Sequence, residues 1–218
     1  MKKLIIFTDL DGTLLDYSNY SFEAALPALD LIRERNIPLI ICSSKTRKEI
    51  EHYRNKLSNL HPFITENGGG IYVPEDYFNF IMQDSQFKIE EAAGYKLIRL
   101  GAAYPDLRKA LQKLRYEGFD VKGFGDMTGE EVTVVTRLSI EEAEMAKQRD
   151  FDEPFLVKGS GEDTERLLER IQGMGFNYTQ GQFFHILGNS DKGKAVSILT
   201  DLYRKQYGGT VTVAIGDS

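Results

Sequence analysis

The feature that most constrains this chain is its opening. Residues Lys3–Thr8 form a short apolar run that breaks off into Asp9-Leu10-Asp11-Gly12-Thr13. A continuous run of this length reads as a strand buried on both faces, as in a parallel sheet covered by helices, and the Asp-Gly pair turns the chain out of it. Two lysines, Lys2 and Lys3, precede Leu4, Ile5, Ile6 and Phe7, but this apolar stretch is too short for the apolar part of a secretory leader.

Beyond this turn the pattern alternates. The spacing of Phe22, Ala25, Leu26, Leu29 and Ile32 predicts a helix over 22–35, ended by Asn36 and Pro38. A second buried strand is expected over 38–42, a helix over 46–60 with Ile50, Tyr53 and Leu57 on one face, and a third strand over 63–65 before Asn67-Gly-Gly-Gly. Strand, helix, strand, helix, strand describes a parallel sheet.

The middle of the chain has another character. Strands are expected over 95–100, 119–121, 155–157 and 182–187, with helices over 106–117, 139–149 and 163–174. Ser139 with Glu142 three positions on is a capping box for the second of these helices. The stretch 131–138 carries signals for both strand and helix, since Val-Thr-Val-Val-Thr favours strand and its neighbours favour helix. After Gly188 the first pattern returns, with a helix over 191–206 and a β-branched strand, Thr210–Ile215, leading into Gly216-Asp217-Ser218. The expected fold is therefore α/β, a parallel-sheet core over 1–83 and 187–218, interrupted by an inserted α+β unit over 84–186. At 218 residues and 41% hydrophobic composition the chain can bury a large core without disulfides.

In open parallel sheets, ligands sit at the carboxyl ends of the strands. Here those ends supply Asp9 and Asp11, Ser43, and Asp217, while Lys192 opens a helix packed on the same sheet. Two carboxylates one residue apart permit a division of labour, with Asp9 as nucleophile toward phosphorus and Asp11 as general acid and base. Crowded carboxylates call for a cation, and magnesium, which takes oxygen ligands and few protein carboxylates, suits the carboxylates of Asp9 and Asp217 with a backbone carbonyl near Asp11. The spacing lacks the further ligands of a calcium loop, and the three histidines and one cysteine are scattered, which leaves no zinc site. Ser43 and Lys192 supply donors and positive charge to a transferring phosphoryl group, with Ser44 as an alternative donor to Ser43 and Lys194 as an alternative to Lys192. Each has an ordinary reading too, as a turn residue or a solvated lysine.

Taken together, Asp9-Leu-Asp-Gly-Thr, Ser43 after the second strand, Asp191-Lys192-Gly-Lys-Ala and Gly216-Asp217-Ser218 resemble the four motifs of the haloacid dehalogenase superfamily over essentially the whole chain. The long separation of Ser43 from Lys192, together with Asn67-Gly-Gly-Gly, resembles its Cof-type branch, with a C2-type cap. The resemblance implies a Rossmann-like core with an inserted cap domain over 84–186, and a magnesium-dependent phosphatase with an aspartyl-phosphate intermediate on Asp9. More narrowly, Cys42-Ser-Ser-Lys-Thr, Arg149-Asp-Phe-Asp-Glu-Pro-Phe and Gly181-Gln-Phe-Phe-His-Ile-Leu-Gly-Asn-Ser are similar to members that act on mannosyl-3-phosphoglycerate and leave mannosylglycerate, a compatible solute. For so anionic a substrate, Ser44, Lys45, Asn67, Arg149, Lys158 and His185 become candidate binding residues, although a salt-bridge partner, a surface lysine and a core histidine are equally ordinary readings.

Sucrose, trehalose and hexose phosphates remain alternative substrates, as does phosphomutase chemistry. A receiver-like domain and an inactive sugar-phosphate binder are rivals of other classes, although a receiver needs neither Asp11 nor a large insert. The expected partner is a small phosphorylated sugar derivative. The net charge of −6 offers no basic footprint for nucleic acid, no run approaches a membrane span, and the lone Cys42 gives no sign of an oxidising compartment, which makes a cytoplasmic setting the expectation. No oligomeric state can be read from the residues. The superfamily's fourth motif continues past Gly-Asp-Ser to a second acidic residue, so the sequence is expected to be a C-terminally shortened version of a longer natural protein.

Overall fold

In the computed structural model, which describes residues 2–78 and 87–216, the opening run is β1 (Lys3–Thr8), with Ile5 and Phe7 buried. A 3-10 turn at Glu23–Ala25 leads into α1 (Leu26–Glu34), then β2 (Leu39–Cys42), α2 (Arg47–Lys56), β3 (Phe63–Thr65), β4 (Gly70–Pro74), β5 (Ile89–Ala92) and β6 (Tyr95–Arg99). Next come α3 (Tyr104–Tyr116), β7 (Asp120–Gly123), α4 (Gly129–Thr136), α5 (Ile140–Ala146), β8 (Asp152–Lys158), α6 (Gly161–Gly173), β9 (Asn177–Gln180) and β10 (Phe184–Leu187). The chain finishes with α7 (Lys192–Tyr207) and β11 (Thr210–Ile215). Among the described residues no helix is long and apolar enough to cross a membrane.

These elements divide into two compact units. The first comprises Met1–Ser44, Ile50–Arg99 and Asp191–Ser218. Its seven-stranded sheet runs β11-β1-β2-β3-β4-β6-β5. The strands β11, β1, β2 and β3 pair in parallel, and β4, β6 and β5 extend the sheet antiparallel. The register Thr8↔Ile41 and Thr8↔Ile215 brings the ends of β2 and β11 level with that of β1, at Asp9.

The second unit comprises Lys45–Glu49 and Leu100–Ser190, and its sheet runs β7-β8-β10-β9, antiparallel throughout. Side chains alternate across a strand. Val121, Phe155 and Ile186 pack with Leu107 and Leu111 of α3 and Leu167 of α6 on one face, so Lys122, Asp152, Leu156, Lys158 and His185 project to the other.

Several expectations need adjustment. The boundary near residue 83 falls outside the described residues, and Tyr95–Arg99, expected in the inserted domain, pairs with β4 in the first sheet, where Leu97 and Ile98 are buried. The first unit therefore extends to Arg99 and resumes at Asp191 rather than 187, while Lys45–Glu49 groups with the second. The ambiguous stretch after residue 130 is helical. Thr128 Oγ1 accepts the Glu131 N–H at 3.2 Å and the Glu131 carboxylate accepts the Thr128 N–H at 3.0 Å, a capping box that overrides the local β preference. The strands β4, β5 and β9 were not expected from sequence, and the strand expected over 155–157 begins three residues earlier, at Asp152.

Candidate active site

The acidic motif is wound around one carbonyl. The Leu10 oxygen accepts from the backbone N–H groups of Thr13, Leu14 and Leu15 at 3.3, 3.0 and 2.8 Å, while the buried side chains of Leu10, Leu14 and Leu15 anchor the turn. Gly12, at φ 69°, takes the left-handed step that the turn requires. Asp9 is thereby fixed at the end of β1. Its N–H donates to the Ile215 carbonyl at 3.0 Å, and its Oδ1 accepts the Leu10 N–H at 2.7 Å. Asp9 Oδ2 accepts from Lys192 Nζ, and the two side chains are 16% and 33% exposed. Asp11 lies two residues on, with Oδ1 buried.

Lys192 is the first residue of α7, whose N-cap Asp191 accepts the Lys194 N–H at 2.7 Å. The structure thus separates the two lysines: Lys192 reaches the carboxylate, and Lys194 contributes its backbone to the cap. Gly68 sets the position of this helix start. It lies at φ +87°, and a Cβ there would stand 2.2 Å from the Asp191 carbonyl oxygen and 2.8 Å from the Lys192 nitrogen. Gly68→Ala is therefore expected to shift Lys192 off Asp9 and reduce turnover by about tenfold or more, through positioning rather than chemistry. Gly94→Ala is the control: it carries the same backbone penalty, at φ +83°, but its Cβ would meet nothing within 4 Å. Comparing kcat and Tm for the two variants tests this, and equal kcat would sink it.

Ser43 is fully buried one residue past β2; its N–H donates to the Ile64 carbonyl at 3.1 Å and its carbonyl accepts the Asn67 N–H at 3.2 Å. Asn67, at φ 56° and ψ 34°, is in left-handed conformation, and Ser44 is half-buried. Asp217 lies outside the described residues. Asp9, Asp11, Ser43 and Lys192 thus all lie at one end of one sheet.

The other expected binding residues belong to the second unit. Lys45 is buried with Nζ 3.5 Å from Glu49 Oε1. Arg149 is buried, with Nε donating to the Ala146 carbonyl at 2.8 Å, Nη1 to Asp152 Oδ1 at 2.6 Å, and Nη2 3.9 Å from Glu49 Oε2. Both cations are committed to protein acceptors. His185 Nδ1 is 3.0 Å from Asp152 Oδ2. Lys158 is exposed and lines a cavity of about 380 Å³ with Lys122, Met127, Val135 and Leu156. Sequence reading missed Asp152 and Gly68; the one signal for Asp152 was its place beside Arg149 in a β-prone run.

For a magnesium ion the described donors are suitable. Asp9 and Asp11 offer hard oxygen ligands, and burial pushes the nearby Cys42 thiol up to about 12, which removes it as a soft ligand at neutral pH. Among the described residues no three His, Cys, Asp or Glu side chains form a cage. Magnesium needs none, because it usually takes one or two protein carboxylates and keeps its waters.

A buried strand that delivers a carboxylate to a helix-start lysine, in a parallel-centred sheet whose chain is interrupted by an inserted α+β unit, describes a Rossmann-like α/β core with a cap. The chain belongs to the haloacid dehalogenase-like hydrolase family, whose model matches residues 6–218. It is 47% identical, over 99% of its length and 79% of the relative's, to a glucosyl-3-phosphoglycerate/mannosyl-3-phosphoglycerate phosphatase of Methanococcoides burtonii. It is 37% identical, over 98% of its length and 83% of the relative's, to a mannosyl-3-phosphoglycerate phosphatase of Pyrococcus furiosus. Among solved structures, a haloacid dehalogenase-like hydrolase from B. subtilis matches with TM-score 0.63 at 16% identity, covering 100% of this chain and 84% of that one, which supports the fold. These matches place the chain among the family's phosphatases, with a Rossmann-like core and a cap.

Proposed function

We propose that the protein removes phosphate from glycosyl-3-phosphoglycerates, mannosyl-3-phosphoglycerate and its glucosyl counterpart, through an aspartyl-phosphate on Asp9. The observation that carries the reading is the Asp9–Lys192 pair at the end of β1, in a chain whose relatives are named for these substrates. The Leu10 N–H and the Lys192 ammonium hold the Asp9 carboxylate in one plane, aimed out of the strand. A carboxylate oxygen attacks phosphorus, the ester P–O bond breaks, and Asp11 passes a proton to the departing glycerate oxygen. Asp11 then takes a proton from water, whose oxygen attacks the same phosphorus and displaces Asp9 with release of inorganic phosphate. Lys192 and Ser43 hold the phosphoryl oxygens throughout. A magnesium ion held by the Asp9 carboxylate and a backbone carbonyl at Asp11, with Asp217 as a third ligand, would neutralise the crowded carboxylates and the phosphoryl charge. A cytoplasmic setting goes with this reading.

The test is phosphate release from mannosyl- and glucosyl-3-phosphoglycerate beside sucrose, trehalose and hexose phosphates, with Mg²⁺ or EDTA. Metal-dependent release that favours the glycosyl-phosphoglycerates by tenfold or more in kcat/KM is expected. Equal release from a hexose phosphate would remove the substrate, and isomerised sugar phosphate in place of free phosphate would make the chain a mutase.

A further inference from the structure

Directly after β3, in the first unit, three consecutive residues take positive φ: Glu66 at 48°, Asn67 at 56° and Gly68 at 87°. Glycine does this freely and asparagine with little resistance, but glutamate seldom does, and left-handed residues ordinarily come singly rather than in runs. Glu66 is nevertheless fully buried in that conformation. Strain of this kind persists only where the surroundings over-determine it. Here the turn is held from two sides. The Asn67 N–H donates to the Ser43 carbonyl at 3.2 Å, and the Gly69 N–H returns to the Thr65 and Glu66 carbonyls, both at 3.0 Å. On the other side Gly68 closes on the head of α7, where a Cβ would stand 2.2 Å from the Asp191 carbonyl oxygen. Adjacent residues of one turn thus touch the loop that carries Ser43 and the helix start that carries Lys192.

We propose that the left-handed turn Glu66–Gly68 is a positioning element that sets the separation of Ser43 from Lys192, and that Asn67 acts through its backbone rather than as a contact of the substrate. The inference rests on the proposed function, in which Ser43 and Lys192 are the two groups that hold the phosphoryl oxygens. Ser43 takes its place from the sheet, since its N–H donates to the Ile64 carbonyl of β3 at 3.1 Å. Lys192 begins a helix, which takes no register from the strands. The turn supplies the tie between them, because residue 67 hydrogen-bonds to Ser43 and residue 68 packs on the carbonyl ahead of Lys192. Were residue 67 to relax to negative φ, its N–H would swing off the Ser43 carbonyl and the Gly68 peptide would be driven against Asp191. Both donors would then leave a common phosphoryl group together, and a displacement of about 1 Å at such a group costs up to about 10²-fold in rate.

Two substitutions at one position separate backbone from side chain. Asn67→Gly removes the side chain and leaves positive φ open, whereas Asn67→Val removes it and, being β-branched, resists positive φ. With mannosyl-3-phosphoglycerate as substrate, at a temperature well below both Tm values, kcat of Asn67→Gly should exceed that of Asn67→Val by about tenfold or more. Equal losses in the two would mean that the side chain itself meets the substrate, and wild-type kcat in Asn67→Val beside a lowered Tm would mean that the turn serves stability alone. Either result overturns the proposal. Crystal structures of the two variants without substrate read the same point independently of turnover. The contact of Lys192 Nζ with Asp9 Oδ2 and that of the residue 67 N–H with the Ser43 carbonyl should persist in Asn67→Gly and open in Asn67→Val. A valine variant that keeps both, or a glycine variant that opens both, counts against the proposal. If Asn67→Val does not fold, Asn67→Ala, which disfavours positive φ less severely, takes its place, with about threefold or more expected between it and Asn67→Gly. Absence of phosphate release by the wild type would instead sink the functional reading, while the two structures still decide whether the turn sets Ser43 against Lys192.

Discussion

Asp9→Asn is expected to cut phosphate release by on the order of 10⁴-fold or more while leaving the protein folded. The amide keeps the shape of the carboxylate, and its oxygen can still accept the Leu10 N–H that carboxylate Oδ1 accepts at 2.7 Å. What it loses is the oxygen proposed as nucleophile and the charge that faces Lys192. The lysine left behind is one-third exposed, so water can solvate it and the cost to stability is small. Single-turnover phosphate release and Tm, measured together, separate the two effects. A variant that folds normally and retains a tenth of wild-type turnover would remove Asp9 as nucleophile.

Lys192→Met is expected to lower kcat by about 10²- to 10³-fold, the range for loss of one preorganised charge at a transferring group, whereas Lys194→Met should stay within about twofold of wild type. The difference is one of reach. Lys192 Nζ meets Asp9 Oδ2, while Lys194 is engaged through its backbone N–H by Asp191 at 2.7 Å. The positive end of α7 persists in both variants, so the comparison isolates the ammonium from the helix terminus. Comparable losses from the two substitutions would mean that the charge acts at long range and that the contact with Asp9 is incidental.

How much of this was legible in the sequence depended on how local each signal was. The strands Lys3–Thr8 and Thr210–Ile215 have the bounds expected of them, because a buried parallel strand is announced by its own apolar run. The strand Gly70–Pro74 was hidden, since a glycine triplet reads as a turn and only its pairing with β3 and β6 makes it a strand. The strand Asn177–Gln180 is exposed at all four positions and carries no apolar alternation to read. At the site, Asp9 and Lys192 stood out because a turn motif and a helix start each mark themselves. Asp152, in the second unit, did not, because its contact with His185 depends on the antiparallel pairing of β8 with β10, which sets the two on one face. The alternation of a single strand places a residue on a face but does not name its neighbour on the next strand.

The pairing of β1 with β11 has a consequence for the order in which the molecule is made. Asp9 and Lys192 are 183 residues apart, and β1 finds its outer neighbour only at Thr210–Ile215. The second unit, by contrast, draws almost all its residues from one continuous stretch, Leu100–Ser190. Long closures come late and local ones early. During synthesis the inserted unit is therefore complete before the contact of Asp9 with Lys192 can form. Pulse-labelled hydrogen exchange during refolding should protect β8 and β10 before β1, and simultaneous protection would show that the two units fold as one.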